Sequence, residues 1–346
     1  MNIRTISKRL AVIPTCLALG WMSAALAAPK VYVANETDGT VSVIATDTRQ
    51  TVRTITVGAG AHNVQASVDG QRVWVTNNGT PPADAGHQGM SGAAHAAMTT
   101  PGEVWAIDTA TDTVVGKVPV GNHPAHVVVS PDGRWVYVTN GGDNTVSVVD
   151  AAAMKVVATI ATGAFPHGIR LSPDGRQAYV ANLKGGTVSV IDTASRKEVA
   201  SIPVGRGPAQ VGFTDDGRLA FVSLSQEDRV AVIDPKTHEV VRKVPVGDGP
   251  IQLFATPDSQ RLLVANQGSR QNPGHTVSVI DLTSFKVTAS IRTGRGAHGV
   301  VVDADARQAY VSNLYDNTVT VIDLVLHKPV ATVPVGAGPN GISVTP

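Results

Sequence analysis

Cysteine is almost missing: Cys16 is the single one in 346 residues. The chain beyond it has no disulfide, no thiolate metal ligand and no CxxCH haem attachment. Aromatic residues are 4% of the chain, and charged ones 16%, with 28 Lys and Arg against 27 Asp and Glu. Strong general nucleic-acid binding needs many cationic phosphate contacts, so this near-neutral balance excludes it. No window sustains a helical apolar period, and past residue 27 no apolar run is long enough to cross a bilayer. A Ser-His-Asp signature, a phosphate-cradling Gly loop and a dinucleotide fingerprint are absent too. Glycine (34) and proline (21) are abundant instead, and they punctuate the chain as turn residues.

The first 27 residues distort the charge balance. "MNIRTISKRL" carries Arg4, Lys8 and Arg9, an apolar stretch follows, and "SAALA" ends in an Ala25-x-Ala27 pattern. This reads as a secretory signal peptide (1–27) cleaved after Ala27, its apolar run interrupted by Pro14 and too short to span a membrane. Taking away those three basic residues of the 28 leaves 25 against 27 acidic ones. The expectation is an exported, periplasmic or extracellular monomer that does not span the membrane.

The rest, 28–346, is repetitive. An apolar–Gly pair recurs at Gly58, Gly121, Gly163, Gly205, Gly247, Gly294 and Gly336, at spacings of 63, 42, 42, 42, 47 and 42. One unit is therefore longer by 21 residues and another by 5. Each unit reads as four short strands: "PHGIRLS", turn "PDGR", "QAYVAN", turn "LKGG", "TVSVID", turn "TASRK", "EVASIPVG". β-branched and aromatic residues fill the strands, and Pro, Asp and Gly make the turns. Four-stranded units of about 40 residues are the sign of propeller blades. Six units are complete. Residues 30–57 supply three strands of a seventh, and "PNGISVTP" supplies its first. The fold class predicted is all-β: a seven-bladed β-propeller of four-stranded antiparallel blades, closed by pairing of N- and C-terminal strands.

The strands "VYVTN", "VYVAN", "AYVAN" and "AYVSN", each followed by "TVSVID" or a near variant, resemble the YVTN family of β-propeller repeats. That family occurs in exported bacterial proteins and archaeal surface-layer proteins. The resemblance covers the chain beyond the leader and implies the propeller fold, but no chemistry, since propellers host enzymes, binders and scaffolds alike.

In an up-and-down blade, the turns between strands two and three share one end, the top, with the turns that lead to the next blade. Aligned on the repeat glycine, position four on reads His62, Ala125, His167, Ala209, Ile251, His298 and Asn340. The next position reads Asn63, His126, Gly168, Gln210, Gln252, Gly299 and Gly341. Histidines 62, 126, 167 and 298 thus converge on the channel mouth, His126 being offset by one, a slip that turns a strand residue to the other face. His123 stands in the adjacent turn, and His275 in the shorter insertion. The longer insertion, about 78–102, holds His87-x-x-Met90 and His95-x-x-Met98. Only His238 and His327 fall at the opposite end. Arg206 and Arg295 lie in top turns and Arg170 in a channel strand, where they could grip an anion through charge-assisted hydrogen bonds.

Three neutral imidazoles with an open position are a recognised metal site, and imidazole with thioether suits copper. The between-blade turns offer one carboxylate, Asp248, too few for a hard oxygen cage around Ca²⁺ or Mg²⁺. Nitrous oxide reductase, an exported propeller protein that holds copper with histidines at its channel mouth, is similar in face and position only. The present chain has fewer histidines there and lacks a cupredoxin domain, so unaided copper redox catalysis is not expected. The leading expectation is a binding propeller with a copper-like metal site at the mouth and a His/Met capture loop. The alternative is a non-enzymatic scaffold with a protein partner on the top face. A metal-dependent oxidoreductase or His-based lyase ranks third.

Overall fold

The computed structural model describes residues 28–79 and 101–346. These form seven four-stranded antiparallel sheets, six of them running from an inner to an outer strand in chain order. The inner strands of blades 2 to 7 are Ala61–Ala66, Pro124–Val129, Pro166–Leu171, Pro208–Phe213, Pro250–Ala255 and Ala297–Val302. Blade 1 combines Pro339–Val344 with Lys30–Asn35, Thr40–Ala45 and Gln50–Thr56. The pairing Val31↔Val344, Tyr32↔Ser343, Val33↔Ile342 closes the ring by giving blade 1 its inner strand. The predicted seven-bladed architecture and its closure are as observed. Among the described residues no helix is long and apolar enough to cross a membrane.

The core lies between blades rather than within one. Tyr32, Val41 and Val43 of blade 1, for instance, pack with Val64, Val73 and Val75 of blade 2. Middle strands are sandwiched on both faces and read as apolar runs, whereas outer strands such as Gln50–Thr56 are mostly exposed. Each fully buried Val or Ile contributes about 1.5–3 kcal/mol.

Polar residues of the repeat fasten the turns. The motif asparagine donates to two hydroxyls of the next strand: Asn140 to Thr145 and Ser147, Asn182 to Thr187 and Ser189, and likewise Asn35, Asn266 and Asn313. The repeat glycine sits against that amide. A Cβ on Gly163 would lie 2.5 Å from Asn182 Nδ2, so no larger residue fits. At the bottom, "S/T-x-D" turns are capped by the aspartate, which accepts from the Ser or Thr hydroxyl and from a backbone N–H (Asp69, Asp132, Asp174, Asp216, Asp258).

The threonine of "VTN" works differently. In each blade the register between the first two strands shifts near the top of the inner strand, which is a bulge. In blade 3, the Thr139 hydroxyl accepts from the His126 N–H inside that bulge and donates to the His167 carbonyl of blade 4 at 2.7 Å. Thr76, Ser223 and Ser312 likewise reach Ala125, Ile251 and Asn340. Neighbouring blades are therefore pinned together at the level where the histidines stand.

Candidate metal centre

Three blades bring His62, His126 and His167 together, with one ring nitrogen of each within 4.8 Å of the others. His62 Nε2 and His167 Nε2 are 3.4 Å apart. Ring centroids are 4.6 Å apart for His126 and His167, and 5.7 Å for His62 and His126. The bulge resolves the register question for His126: the extra residue aims its ring into the channel although it stands one position later than the others. Two ligands of a tetrahedral ion with metal–nitrogen bonds of about 2.0–2.1 Å lie roughly 3.3 Å apart. The His62–His167 edge already has that spacing, and the His126 ring must move inward to match it.

The outer nitrogen of His167 fixes its tautomer. Blade 4 has Ala181 where blade 3 has Thr139, so no hydroxyl claims the Ala209 carbonyl. His167 Nδ1 donates to that carbonyl instead, at 2.9 Å. His62 Nδ1 lies 3.3 Å from Glu36 Oε1, and the Glu36 carboxylate is steadied by Asn340 Nδ2 (2.9 Å) and Asn78 Nδ2 (3.3 Å). Both arrangements resemble the outer-shell contacts that orient metal-binding imidazoles. With its Nδ1 donating, His167 turns the Nε2 lone pair toward His62 Nε2, 3.4 Å away. Asn340 Nδ2 also lies 3.3 Å from His62 Nδ1. A cation held between the two Nε2 atoms requires the His62 tautomer with its proton on Nδ1, toward Glu36.

His126 is wholly buried, and neither of its ring nitrogens has a hydrogen-bond partner among the described residues. Burial, then the neighbouring His167 and His62, hold its pKa well below the ordinary imidazole value, so it is neutral at neutral pH. A neutral, unpaired, buried imidazole is a ligand in waiting.

The remaining sequence candidates separate. His298 lies at the mouth with Nδ1 2.9 Å from Gln267 Oε1, outside the three-histidine group. His123 packs its ring 5.2 Å from Phe165 in a left-handed turn residue (φ 51°). His275 is exposed. Arg170 reaches across the channel to Gln65 Oε1 at 2.8 Å, where desolvation brings its pKa to about 10, still cationic at neutral pH. Arg206 is an exposed residue of the mouth, and Arg295 forms a surface ion pair with Asp316 at 2.7 Å. His87, Met90, His95 and Met98 lie outside the described residues.

Asp248 is not the carboxylate of this site; Glu36 is. It occupies the other set of top turns, directly after the motif asparagine. Aligned on that asparagine, the seven blades read Glu36, Asn78, Gly141, Leu183, Ser225, Gln267 and Leu314. Two members of this second ring, Glu36 and Gln267, touch the first, and Asn78 steadies Glu36.

The sequence profile described as "YNCE-like beta-propeller" matches residues 78–261, just over half of the chain. No curated protein matches it. Among solved structures, the chain is similar to hydrazine synthase of Kuenenia stuttgartiensis, with a TM-score of 0.70 and 24% identity over 82% of this chain and 89% of that one. It is also similar to a protein of unknown function from Desulfotomaculum acetoxidans, with a TM-score of 0.72, 18% identity and coverage of 91% and 98%. The periplasmic gluconolactonase PpgL of Pseudomonas aeruginosa gives a TM-score of 0.71 at 18% identity, covering 92% and 99%. At such identities the likeness is one of fold.

Proposed function

The chain belongs to the YNCE-like β-propeller family, and on that scaffold we propose that the channel mouth binds a transition metal, copper above others. The observation that carries this is the convergence of three imidazoles from three blades, one of them buried with both ring nitrogens unpaired among the described residues. His62 and His167 would bind through Nε2, since their Nδ1 atoms face Glu36 and the Ala209 carbonyl. His126 would complete the set. Its neutrality at physiological pH removes the competition between proton and metal that weakens histidine sites. A bound copper ion would supply Lewis acidity or one-electron chemistry. The protein's own residues would fix the His167 tautomer, keep the ligands dry and leave the cavity side open.

The thioethers of Met90 and Met98, with His87 and His95, would capture soft Cu(I) and pass it inward. An exported setting fits the leader-like N-terminus, and PpgL is itself described as periplasmic.

Copper titration of the purified protein tests this, by calorimetry and by elemental analysis after dialysis. The expected result is one tightly held equivalent, lost in His62→Ala and His167→Ala and retained when residues 84–100 are deleted. Binding no tighter than millimolar overturns the proposal.

A further inference from the structure

The histidine cluster opens onto a cavity of about 1020 Å³ whose lining is lopsided in charge. His62, His123, His167 and His298 line it, together with Lys184 and Arg206. None of its described lining residues is Asp or Glu. Glu227, beside Arg206, is engaged by the Arg206 backbone N–H and by Lys243. Neither Lys184 nor the Arg206 guanidinium makes an ion pair among the described residues. Arg206 donates one hydrogen bond, to the Gln226 carbonyl, and Lys184 Nζ rests 4.2 Å above the Phe165 ring. Phe165, Leu183 and Ile251 give the same cavity an apolar side. Deeper in the channel, the Arg170 guanidinium adds a further cation, held by Gln65.

Three imidazole ligands add no charge of their own to an ion they bind and leave it an open position. Between that ion and the two wall cations, the field favours an anion, and the apolar side favours an organic one. We infer that this cavity takes a small organic carboxylate, its oxygen in the ion's open position, its charge facing Lys184 and Arg206 and its apolar body against Phe165, Leu183 and Ile251. This inference rests on the metal reading above. An inorganic anion would gain nothing from the apolar wall, and a neutral compound of the same shape would gain nothing from the cations.

The test uses the full protein loaded with Cu(II), titrated with benzoate and separately with its uncharged analogue benzamide, and read by the Cu(II) electron paramagnetic resonance spectrum. Benzoate is expected to shift the copper signal saturably, and benzamide to leave it unchanged. In the double variant Lys184→Gln, Arg206→Gln, copper affinity should hold while the benzoate Kd rises about tenfold, as loss of two exposed charge contacts implies. An equal response to benzamide, or an unaltered benzoate Kd in the double variant, overturns the carboxylate inference and leaves the metal site standing. Failure of Cu(II) to load removes both.

Discussion

Replacing His126 by Leu separates the two things that this residue does. Its imidazole is wholly buried, with two ring nitrogens that have no hydrogen-bond partner among the described residues. Leaving a buried polar group unpaired costs about 1–3 kcal/mol. Leucine has a similar volume, removes both nitrogens and leaves the backbone N–H bond to Thr139 intact. Without metal, His126→Leu should therefore be more stable than the parent by about 1–3 kcal/mol. With copper at a hundred times its Kd, the parent gains about 2.7 kcal/mol and the variant gains nothing. The order of stability then reverses or closes. Urea unfolding followed by far-UV circular dichroism, once with chelator and once with copper, reads both effects. A variant less stable than the parent in chelator would show that the imidazole is a packing residue, and one stabilised by copper as much as the parent would show that it is no ligand.

Other outcomes follow from the same contacts. Ala181→Ser supplies the hydroxyl that blades 5 and 7 have at this position; it should bond the Ala209 carbonyl, displace His167 Nδ1 and weaken copper binding at unchanged stability, measured by titration and urea midpoint together. Glu36→Gln removes the charge behind His62 and should lower metal affinity 10–100-fold, as outer-shell changes commonly do; an unchanged Kd would exclude that role. Asn140→Ala breaks bonds to Thr145, Ser147 and the Gly121 N–H, and should cost about 2–4 kcal/mol, whereas the same measurement on Leu224→Ala reads only lost packing. The Ser130 hydroxyl and the Arg134 N–H hold the Asp132 carboxyl below its usual range. A carboxylate with a depressed folded-state pKa adds stability above its unfolded value of 3.8 that disappears as pH falls through the folded one. Ser130→Ala should thus flatten the loss of stability below about pH 4, and an identical acid limb in both proteins would refute the assignment.

The blades were legible because turn chemistry repeats: a glycine that must accommodate an asparagine amide can only be glycine, and it marks the five units in which that amide lies against it. The site was half legible. Aligning on the glycine located His62, His126 and His167, yet it could not say that His126 turns inward, because a bulge changes which face a residue occupies without leaving a sign in one strand's sequence. The same alignment suggested His298 as a fourth member; it stands outside the three-histidine group, with its Nδ1 beside Gln267, seventeen positions beyond the start of that blade's inner strand. Glu36 was passed over because its turn aligns on the asparagine, not on the glycine. The Ala181-for-Thr exchange, visible in "AYVAN" against "VYVTN", carried the tautomer of His167 in plain view, though its meaning needed the neighbouring blade's carbonyl.

Ring closure has a temporal side. Glu36 and Asn340 bond at 2.9 Å although 304 positions separate them. During synthesis that wall cannot exist until residues 339–344 have left the ribosome and docked against residues 30–35. An ion arriving earlier would meet His62, His126 and His167 on blades already made, but with no carboxylate locked behind the first of them. Maturation of the mouth is thereby tied to closure of the propeller, and a partly made molecule would hold such an ion more loosely than a finished one.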